Sequence, residues 1–151
     1  MYSKFSSSFD SFVFTRTACG HILGGVCQRL EVWANCVWAV VLVNGKKLVR
    51  FISKRRFFQW FAESRKQRSY GIPVTQNVFD KTKFTARSSR GEELYNLQAL
   101  RGGIICDCDD FKNQMSLFGE RRKLCKHGYA VLNRLGYGSL QQYLDDQQHP
   151  F

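Results

Sequence analysis

Three cysteines and one histidine near the C-terminus have the types and spacing of a metal site. Cys106 and Cys108 are separated by one residue, as are Cys125 and His127, and sixteen residues lie between the two pairs. Three thiolates and one imidazole form a tetrahedral ligand set that suits structural Zn²⁺. Because residues i and i+2 of an extended segment point to the same side, one ion can meet both sulfurs of the first pair. The pattern therefore predicts one structural Zn²⁺ ion held by these four residues.

The same ligand types also occur around [2Fe–2S] clusters, as in the small CDGSH iron–sulfur proteins, which likewise begin with Cys-x-Cys. Those proteins place three residues between the last cysteine and the histidine, whereas Lys126 alone separates Cys125 from His127. The spacing favours zinc over iron–sulfur, and a metal site over three unconnected thiols. Four protein ligands leave no position for water, so the site is expected to be structural and not hydrolytic.

The residues around the ligands follow a family pattern. The sequence CDCDDF begins at Cys106, and CKHGYAVL begins at Cys125. The first is similar to the Cys-x-Cys-x-Asp-Phe turn of the SWIM zinc finger, and the second to its Cys-Lys-His at the start of an apolar helix. On these residues the stretch from about 92 to 137 resembles a SWIM-type finger. The resemblance implies a module that binds DNA or protein and does not catalyse a reaction.

The elements that must position the ligands are a hairpin and a helix. Gly102-Gly103 predicts a hairpin turn between a strand at 92–100 and a short strand at Ile104-Ile105. A helix at about 127–135 would then end at Gly136. Such a ββα unit is too small to be stable by burial alone, so metal binding is expected to supply about 10 kcal/mol or more of folding free energy.

A loop is predicted between the two ligand pairs. If Met115, Leu117 and Phe118 are exposed there, they would anchor a protein partner, and if buried they would pack on the back face of the finger. Asp109 or Asp110 is expected to cap a turn in the same segment.

A separate hairpin is predicted in the N-terminal half. Val37–Val43 is rich in β-branched residues, and Asn44-Gly45, directly after it, is a strong hairpin signal. Residues 47–52 would pair back as the second strand. Further predicted elements are strands at 12–15 and 83–86, a segment at 26–34 that is either helix or strand, and a helix at 140–144 capped by Ser139 and followed by a frayed tail at 145–151.

A helix from residue 54 to about residue 66, capped by Ser53, follows this hairpin. Its apolar stripe consists of Phe57, Phe58, Phe61 and Ala62. The predicted fold class is therefore α+β. It comprises a small N-terminal domain of hairpin, helix and sheet at 1–88, a zinc-stabilised ββα SWIM-like finger at 89–137, and a C-terminal helix and tail at 138–151.

Six cysteines in a chain with a good apolar core and Cys-x-Cys spacing favour a reducing compartment over a disulfide framework. Cys19-Gly20-His21 together with Cys27 is a candidate second metal site, but buried small hydrophobes are the favoured interpretation. No stretch approaches the roughly 20 apolar residues of a membrane span. The expected location is cytoplasmic, or nuclear in a eukaryotic host.

The formal net charge of +11 points to a polyanionic partner, most often nucleic acid. Residues 44–68 contain Glu63 as their one acidic residue, and like charges at that density repel each other unless a partner offsets them. A second basic cluster lies just before the finger helix, whose N-terminus favours anions. The candidate nucleic-acid contacts are Lys47, Arg50, Lys54, Arg55, Arg56, Arg65, Lys66, Arg121, Arg122, Lys123 and Lys126.

Tryptophan offers a different kind of contact with nucleic acid. Trp33, Trp38 and Trp60 could stack on unpaired bases. Core packing is the favoured interpretation for all three, above all for Trp38, which lies within a predicted strand.

These features predict a zinc-finger protein that is not an enzyme. The sequence contains no nucleophile elbow, no phosphate-binding glycine loop and no open metal site. The leading hypothesis is an accessory factor of a DNA-handling complex that binds nucleic acid, with DNA expected before RNA. The alternative is an adaptor whose finger docks on a partner ATPase, nuclease or transposase.

Overall fold

The computed structural model describes residues 8–88, 90–118 and 124–149. The helices of the described residues are α1 (Ser8–Val13), α2 (Arg16–Leu23), α3 (Lys54–Ser69), α4 (Asp109–Phe118), α5 (Lys126–Leu135) and α6 (Leu140–Gln148). The strands are β1 (Val26–Val32), β2 (Val37–Val43), β3 (Lys46–Ile52), β4 (Val74–Gln76), β5 (Lys83–Arg87), β6 (Leu94–Leu100) and β7 (Gly103–Cys106). The chain is thus a mixed α/β protein, and it divides into two units, Met1–Glu63 and Ser64–Phe151.

The first unit is built on an antiparallel sheet in the order β1-β2-β3. Asn44 and Gly45 both adopt positive φ, 50° and 76°, in the turn between β2 and β3, which is the geometry that a two-residue hairpin turn requires. This confirms the predicted hairpin. The segment 26–34, for which the sequence allowed either a helix or a strand, contains β1. This strand has a β-bulge between Cys27 and Arg29.

One face of this sheet forms the core of the first unit. Val37, Ala39 and Val41 alternate along β2 and are fully buried, and α2 packs against β1 and β2. The predicted apolar stripe of α3 is confirmed at Phe57 and Phe61, which are both buried. Aromatic edge-to-face contacts with Phe14 and Phe12 hold these two rings, with centroids 5.3 and 5.4 Å apart.

The strand predicted at 12–15 is wrong. Phe12 and Val13 lie in α1, and Thr15 is the N-cap of α2, where its hydroxyl accepts the Ala18 N–H at 3.0 Å. The β propensity of the short run Phe12–Thr15 is overridden by this cap, since a threonine before a helical segment satisfies an N–H that the helix itself leaves unpaired. Helix α2, which contains Cys19 and His21, was not predicted.

The second unit is built on an antiparallel sheet in the order β4-β5-β6-β7. The predicted finger hairpin is present as β6 and β7, with Leu100 paired to Gly103. Strands β4 and β5 precede residue 88 in the chain, yet they extend the same sheet. The sheet that carries the ligands therefore has four strands among the described residues, where the ββα prediction had two. The predicted domain bounds stay predictions.

The segment between the ligand pairs is not the predicted loop. It contains α4, a ten-residue helix with Phe111 and Gln114 buried on one side, and Met115 exposed on the surface.

Helix α5 is confirmed, and Gly136 ends it in the left-handed conformation, with φ 84°. Ser139 caps α6 as predicted, but the helix continues to Gln148, beyond the predicted start of the frayed tail.

Among the described residues, no helix combines the length and the apolar character that a membrane crossing requires.

Candidate metal centre

The four predicted ligands come together in the second unit. One ligand atom from each of Cys106, Cys108, Cys125 and His127 lies within 4.8 Å of the others, and all four residues are buried. Helix α4 begins directly after Cys108, between the two ligand pairs in the chain. The structure therefore contains a buried Cys₃His cluster that can hold a metal ion.

Each ligand has a defined place at the end of an element. Cys106 is the last residue of β7 and pairs with Leu97 of β6. Cys108 directly precedes α4, Cys125 is the N-cap of α5, and His127 lies in the first turn of α5. The sheet therefore fixes one ligand and two helix N-termini fix the other three.

Two of the sulfurs accept backbone hydrogen bonds. The Phe111 N–H donates to Cys108 Sγ, and the Gly128 N–H donates to Cys125 Sγ, both at 3.4 Å. In each case the donor lies three residues after the cysteine, at the start of a helix. Backbone N–H donors and the positive end of a helix dipole both stabilise a thiolate. Both contacts would stabilise the thiolate form in which these two cysteines bind a cation.

Asp107, between the two cysteines of the first pair, holds their turn against β6. Its carboxylate accepts from the backbone N–H of Asn96 at 2.9 Å and from the Asn96 side-chain amide at 3.0 Å. The Asp107 backbone N–H returns a bond to the Asn96 carbonyl at 3.2 Å. The Cys-x-Cys turn is thus fixed to its neighbouring strand by three hydrogen bonds.

The His127 ring is enclosed, and its two nitrogens have different surroundings. Nδ1 lies 3.9 Å from Cys106 Sγ, while Nε2 is buried and has no hydrogen-bond partner within the described parts of the chain. The Tyr95 ring packs on the imidazole with centroids 4.5 Å apart, and the Tyr95 hydroxyl donates to Glu93. Buried nitrogens without partners are rare, and a bound ion is one common reason for them.

The three thiols strongly perturb one another. The pKa of Cys108 lies well below its ordinary value because hydrogen bonds from Cys106, and then from Cys125, favour its thiolate. The same bonds hold protons on the donors, so the pKa of Cys106 is raised to about 12 and the pKa of Cys125 is raised further. A divalent cation bound at the cluster would favour the thiolate form of all three cysteines, since metal-bound thiols are deprotonated.

The donor set and its spacing fit a tetrahedral ion. Bond lengths of about 2.3 Å to sulfur and 2.0 Å to nitrogen place neighbouring ligand atoms roughly 3.5 to 3.8 Å apart. The observed separations reach at most 4.8 Å, so the ligands would need to draw together by about 1.3 Å or less. The residues present therefore fit zinc.

The candidate second site does not form. Within the described residues, the Cys₃His cluster is the one group of three or more His, Cys, Asp or Glu side chains close enough to hold a metal. Cys19 and Cys27 are buried neighbours, and burial together with the hydrogen bond to Cys27 raises the pKa of Cys19 to about 12. The His21 ring stacks on Trp60 at 5.5 Å. The predicted interpretation as small buried side chains therefore holds for these two cysteines.

The basic residues of the first unit are mostly exposed. Lys47 and Arg50 lie on β3, and Arg55 and Arg56 lie in the first turn of α3, with all four side chains open to solvent. Lys54 is half-buried, with its ammonium group 5.6 Å from the centre of the Phe14 ring. The first unit thus carries four exposed candidates for phosphate contact.

The basic candidates of the second unit are more constrained. Arg65 makes two hydrogen bonds to the Asp110 carboxylate, at 2.7 and 2.9 Å, and its side chain is 13% exposed. Lys66 is half-buried and donates to the Gly138 carbonyl at 3.5 Å. Lys126 is half-buried in the first turn of α5. Three predicted contacts lie outside the described residues: Arg121, Arg122 and Lys123.

Sequence reasoning missed the residues that support the ligands. Asn96 and Asp107 are eleven positions apart and meet through strand pairing, and Arg65 reaches Asp110 across forty-five positions. The signal available in advance was Asp107 itself, a carboxylate placed between two metal-ligand cysteines. Its partner could be named only once the register of β6 and β7 was known.

Comparison of the chain with protein-family models, with curated proteins and with solved structures found no match. The resemblance to the SWIM finger therefore rests on the ligand motif and its flanking residues. The structure establishes a buried Cys₃His cluster, compatible with a zinc finger, in a mixed α/β protein.

Proposed function

We propose that this chain binds one structural Zn²⁺ ion through Cys106, Cys108, Cys125 and His127, in the manner of a SWIM-type finger. The convergence of four buried ligands from a strand and two helix N-termini carries this proposal. When bound, the ion links β7 to α4 and α5. The ligand set is closed, since four protein ligands leave no position for water, which supports a non-enzymatic role.

The polar surroundings of the ligands also support a structural role over a catalytic one. A cavity of about 560 Å³ borders Cys108 and His127. Its walls include the cations Arg68 and Arg90, and they also include acidic side chains, Glu92 and Glu93 among them. Opposite charges so close together give the cavity no preference for an anionic or a cationic substrate.

We propose further that the protein binds nucleic acid, with DNA expected before RNA, as an accessory factor of a DNA-handling complex. The support is the net charge of +11 and the exposed basic side chains of the first unit, Lys47, Arg50, Arg55 and Arg56. Phosphate contacts of this kind position a protein without reading bases. Arg65 is left out of this surface because its guanidinium is engaged by Asp110.

A charge-matched comparison tests the basic surface. Replacing Lys47, Arg50 and Arg55 together with Gln should weaken binding to all sequences alike. It should also reduce the slope of log K against log salt by about 0.7 to 0.9 for each phosphate that is no longer neutralised. The control replaces Lys81, Lys112 and Arg134, three exposed basic residues of the second unit, with Gln. If both triple variants bind equally weakly, nucleic-acid binding is not localised to the basic surface of the first unit. If the wild type shows no affinity for nucleic acid at low salt, the nucleic-acid function is rejected.

An adaptor function is the second candidate, and one surface feature favours it. Val78 and Phe79 are 72% and 96% exposed at the tip of a turn, where Asn77 Oδ1 accepts the N–H groups of Phe79 and Asp80 at 2.8 and 2.9 Å. A pre-ordered exposed aromatic residue is the kind of anchor that a protein partner buries. A partner ATPase, nuclease or transposase recovered after nuclease treatment by the wild type, but not by Phe79→Ala, would support the adaptor function.

A further inference from the structure

The sheet of the first unit has a second face that is less buried than the core face. Strand register places Trp38 opposite Phe51, and Val40 opposite Val49. These residues alternate with the buried core residues of β2, so they lie on the other side of the sheet. Phe51 is 64% exposed and Val49 is 50% exposed. We call this side, with Trp33 just beyond β1, the outer face.

Three aromatic rings form one cluster on the outer face. The Trp33 ring lies 5.6 Å from the Phe51 ring and 6.5 Å from the Trp38 ring, measured between centroids. The two indole planes are parallel to within 2°. Trp33 is itself 41% exposed. The expectation of core packing is therefore wrong for Trp33, and Trp38 is only half-buried.

The cluster is held in place by its neighbours. The Arg29 guanidinium lies over the Trp38 ring, 5.3 Å from its centre, and donates to Glu31 at 2.6 Å. The Trp33 indole N–H donates to the other oxygen of Glu31 at 3.3 Å. The rings are thus oriented before any partner arrives, which reduces the entropic cost of binding.

The outer face carries two cations and one carboxylate. Glu31 is the one acidic residue on β1, β2 and β3, and Arg29 pairs with it. By strand alternation Arg29 and Lys47 share the outer face, whereas Lys46 and Arg50, opposite Val43 and the buried Ala39, lie on the other side of the sheet. Exposed aromatic rings bordered by cations complement a partner that is both flat and anionic, which describes a nucleotide chain.

We propose that the outer face is a stacking surface for unpaired bases of single-stranded nucleic acid, with Trp33, Trp38 and Phe51 as the stacking residues. This inference rests on the proposed nucleic-acid function and narrows its ligand. In a duplex each base is covered by its neighbours, so an aromatic face can stack only on bases that are unpaired. Lys47, on the same face as Phe51 by strand alternation, would meet the phosphates.

Two exposed aromatic residues provide the test, and a third provides the control. Labelled oligothymidylate of about 20 nucleotides, longer than most single-domain sites, and a duplex of the same length serve as probes in fluorescence anisotropy. The wild type should bind the single strand more tightly. Phe51→Ala and Trp33→Ala should each weaken single-strand binding by about 5- to 150-fold. Phe79→Ala, which removes an aromatic ring that is 96% exposed in the second unit, should leave it unchanged.

Intrinsic fluorescence offers a second readout that does not depend on affinity. All three tryptophans lie in the first unit, and Trp60 stacks on His21 and is not one of the three rings of the cluster. Oligothymidylate should therefore quench a larger fraction of the emission in Trp60→Phe than in the wild type, because this variant lacks the indole outside the cluster. The fractional quenching should fall in Trp33→Phe, which keeps an aromatic ring at the position but removes one reporter indole.

The possible results separate this inference from the proposed function. The stacking surface would be overturned if both Phe51→Ala and Trp33→Ala bound single strands as tightly as the wild type does, or if the wild type preferred the duplex. Either result would leave nucleic-acid binding standing. No binding of the wild type to either probe at low salt would overturn both. A wild-type dimer that becomes a monomer in Phe51→Ala, seen by sedimentation, would assign the outer face to a second copy of the chain instead.

Discussion

Cys108 and Cys125 stand in the same relation to two different helices. Each directly precedes a helix, and each sulfur accepts the N–H three residues on. A negative charge at a helix N-terminus gains about 0.3 to 1 kcal/mol from the helix dipole. Cys106, at the end of a strand, has no such helix, and the pKa of its thiol is raised to about 12, chiefly by its hydrogen bond with Cys108. The chain itself thus favours a thiolate at Cys108, whereas the pKa of Cys125 is raised despite its helix, chiefly by its hydrogen bonds with Cys106 and Cys108.

Replacing one ligand tests the metal site directly. Cys108→Ser should purify without bound zinc, because a serine hydroxyl does not ionise to replace a thiolate. Cys36→Ser, which changes a half-buried thiol outside the cluster, should retain one zinc per chain. Metal analysis of the purified proteins distinguishes the two. Equal zinc contents in both variants would contradict the four-residue site.

Asp107 should influence zinc binding without touching the ion. Asp107→Ala removes both carboxylate bonds to Asn96 and frees the Cys-x-Cys turn. Supporting residues of this kind typically change metal affinity by about 10- to 100-fold. Competition with a chromophoric chelator measures the affinity. The control is Glu92→Ala, which removes an exposed carboxylate of the same unit, and a drop of the same size there would show that net charge, not positioning, is responsible.

At the scale of elements, the connection between α2 and β1 depends on two adjacent glycines with different requirements. Gly24 ends α2 with φ 72°, and a side chain there would meet open space. A Cβ on Gly25 would lie 2.4 Å from the Leu42 carbonyl oxygen and 2.8 Å from a Val43 methyl group. Gly24 is therefore needed for its backbone conformation, and Gly25 for the close approach of β1 to β2.

This contrast predicts an order of stability. Gly24→Ala should lower the free energy of unfolding by about 1 to 2 kcal/mol, the cost of a left-handed residue with a side chain. Gly25→Ala should lower it by more, because a backbone carbonyl cannot move aside as a side chain can. Urea unfolding followed by tryptophan emission measures both, since all three tryptophans are in the first unit. The reverse order would show that the strands adjust around Gly25.

The elements that could be predicted were those with a local signal. Asn44-Gly45 determined the first hairpin, and Gly136 determined the end of α5, because both need a positive φ that few residues adopt. Helix α4 was missed because Asp109 and Asp110 are also typical of turns, and its buried Gln114 breaks the apolar pattern. Side chains along β2 must alternate between the two faces of the sheet, but the sequence could not show which face the helices would leave exposed.

At the scale of the whole molecule, the proposed zinc ion serves only one of the two units. The four ligands lie in Ser64–Phe151, whereas the aromatic core built on Phe57 and Phe61 lies in Met1–Glu63. Structural zinc contributes about 10 kcal/mol or more to small metal-binding folds, which exceeds the total stability of many domains. Metal removal should therefore affect the two units differently.

Chelation makes this expectation measurable. Treatment with a strong chelator should open the second unit to proteolysis between about residues 90 and 137, while the tryptophan emission of the first unit stays unchanged. Cys108→Ser should behave in the same way without chelator. A shift of the emission maximum to that of the unfolded chain would show that the two units unfold together.

Among the described residues, the order β1-β2-β3 leaves two open edges in the first sheet, and each has its own protection against aggregation. The bulge between Cys27 and Arg29 distorts the edge of β1, and Lys46, Lys47 and Arg50 charge the edge of β3. Both devices hinder the addition of a strand from another molecule. Lys47 and Arg50, which are proposed to meet phosphates, thus also keep copies of the chain apart. Once nucleic acid neutralises them, neighbouring molecules along one strand would repel each other less strongly.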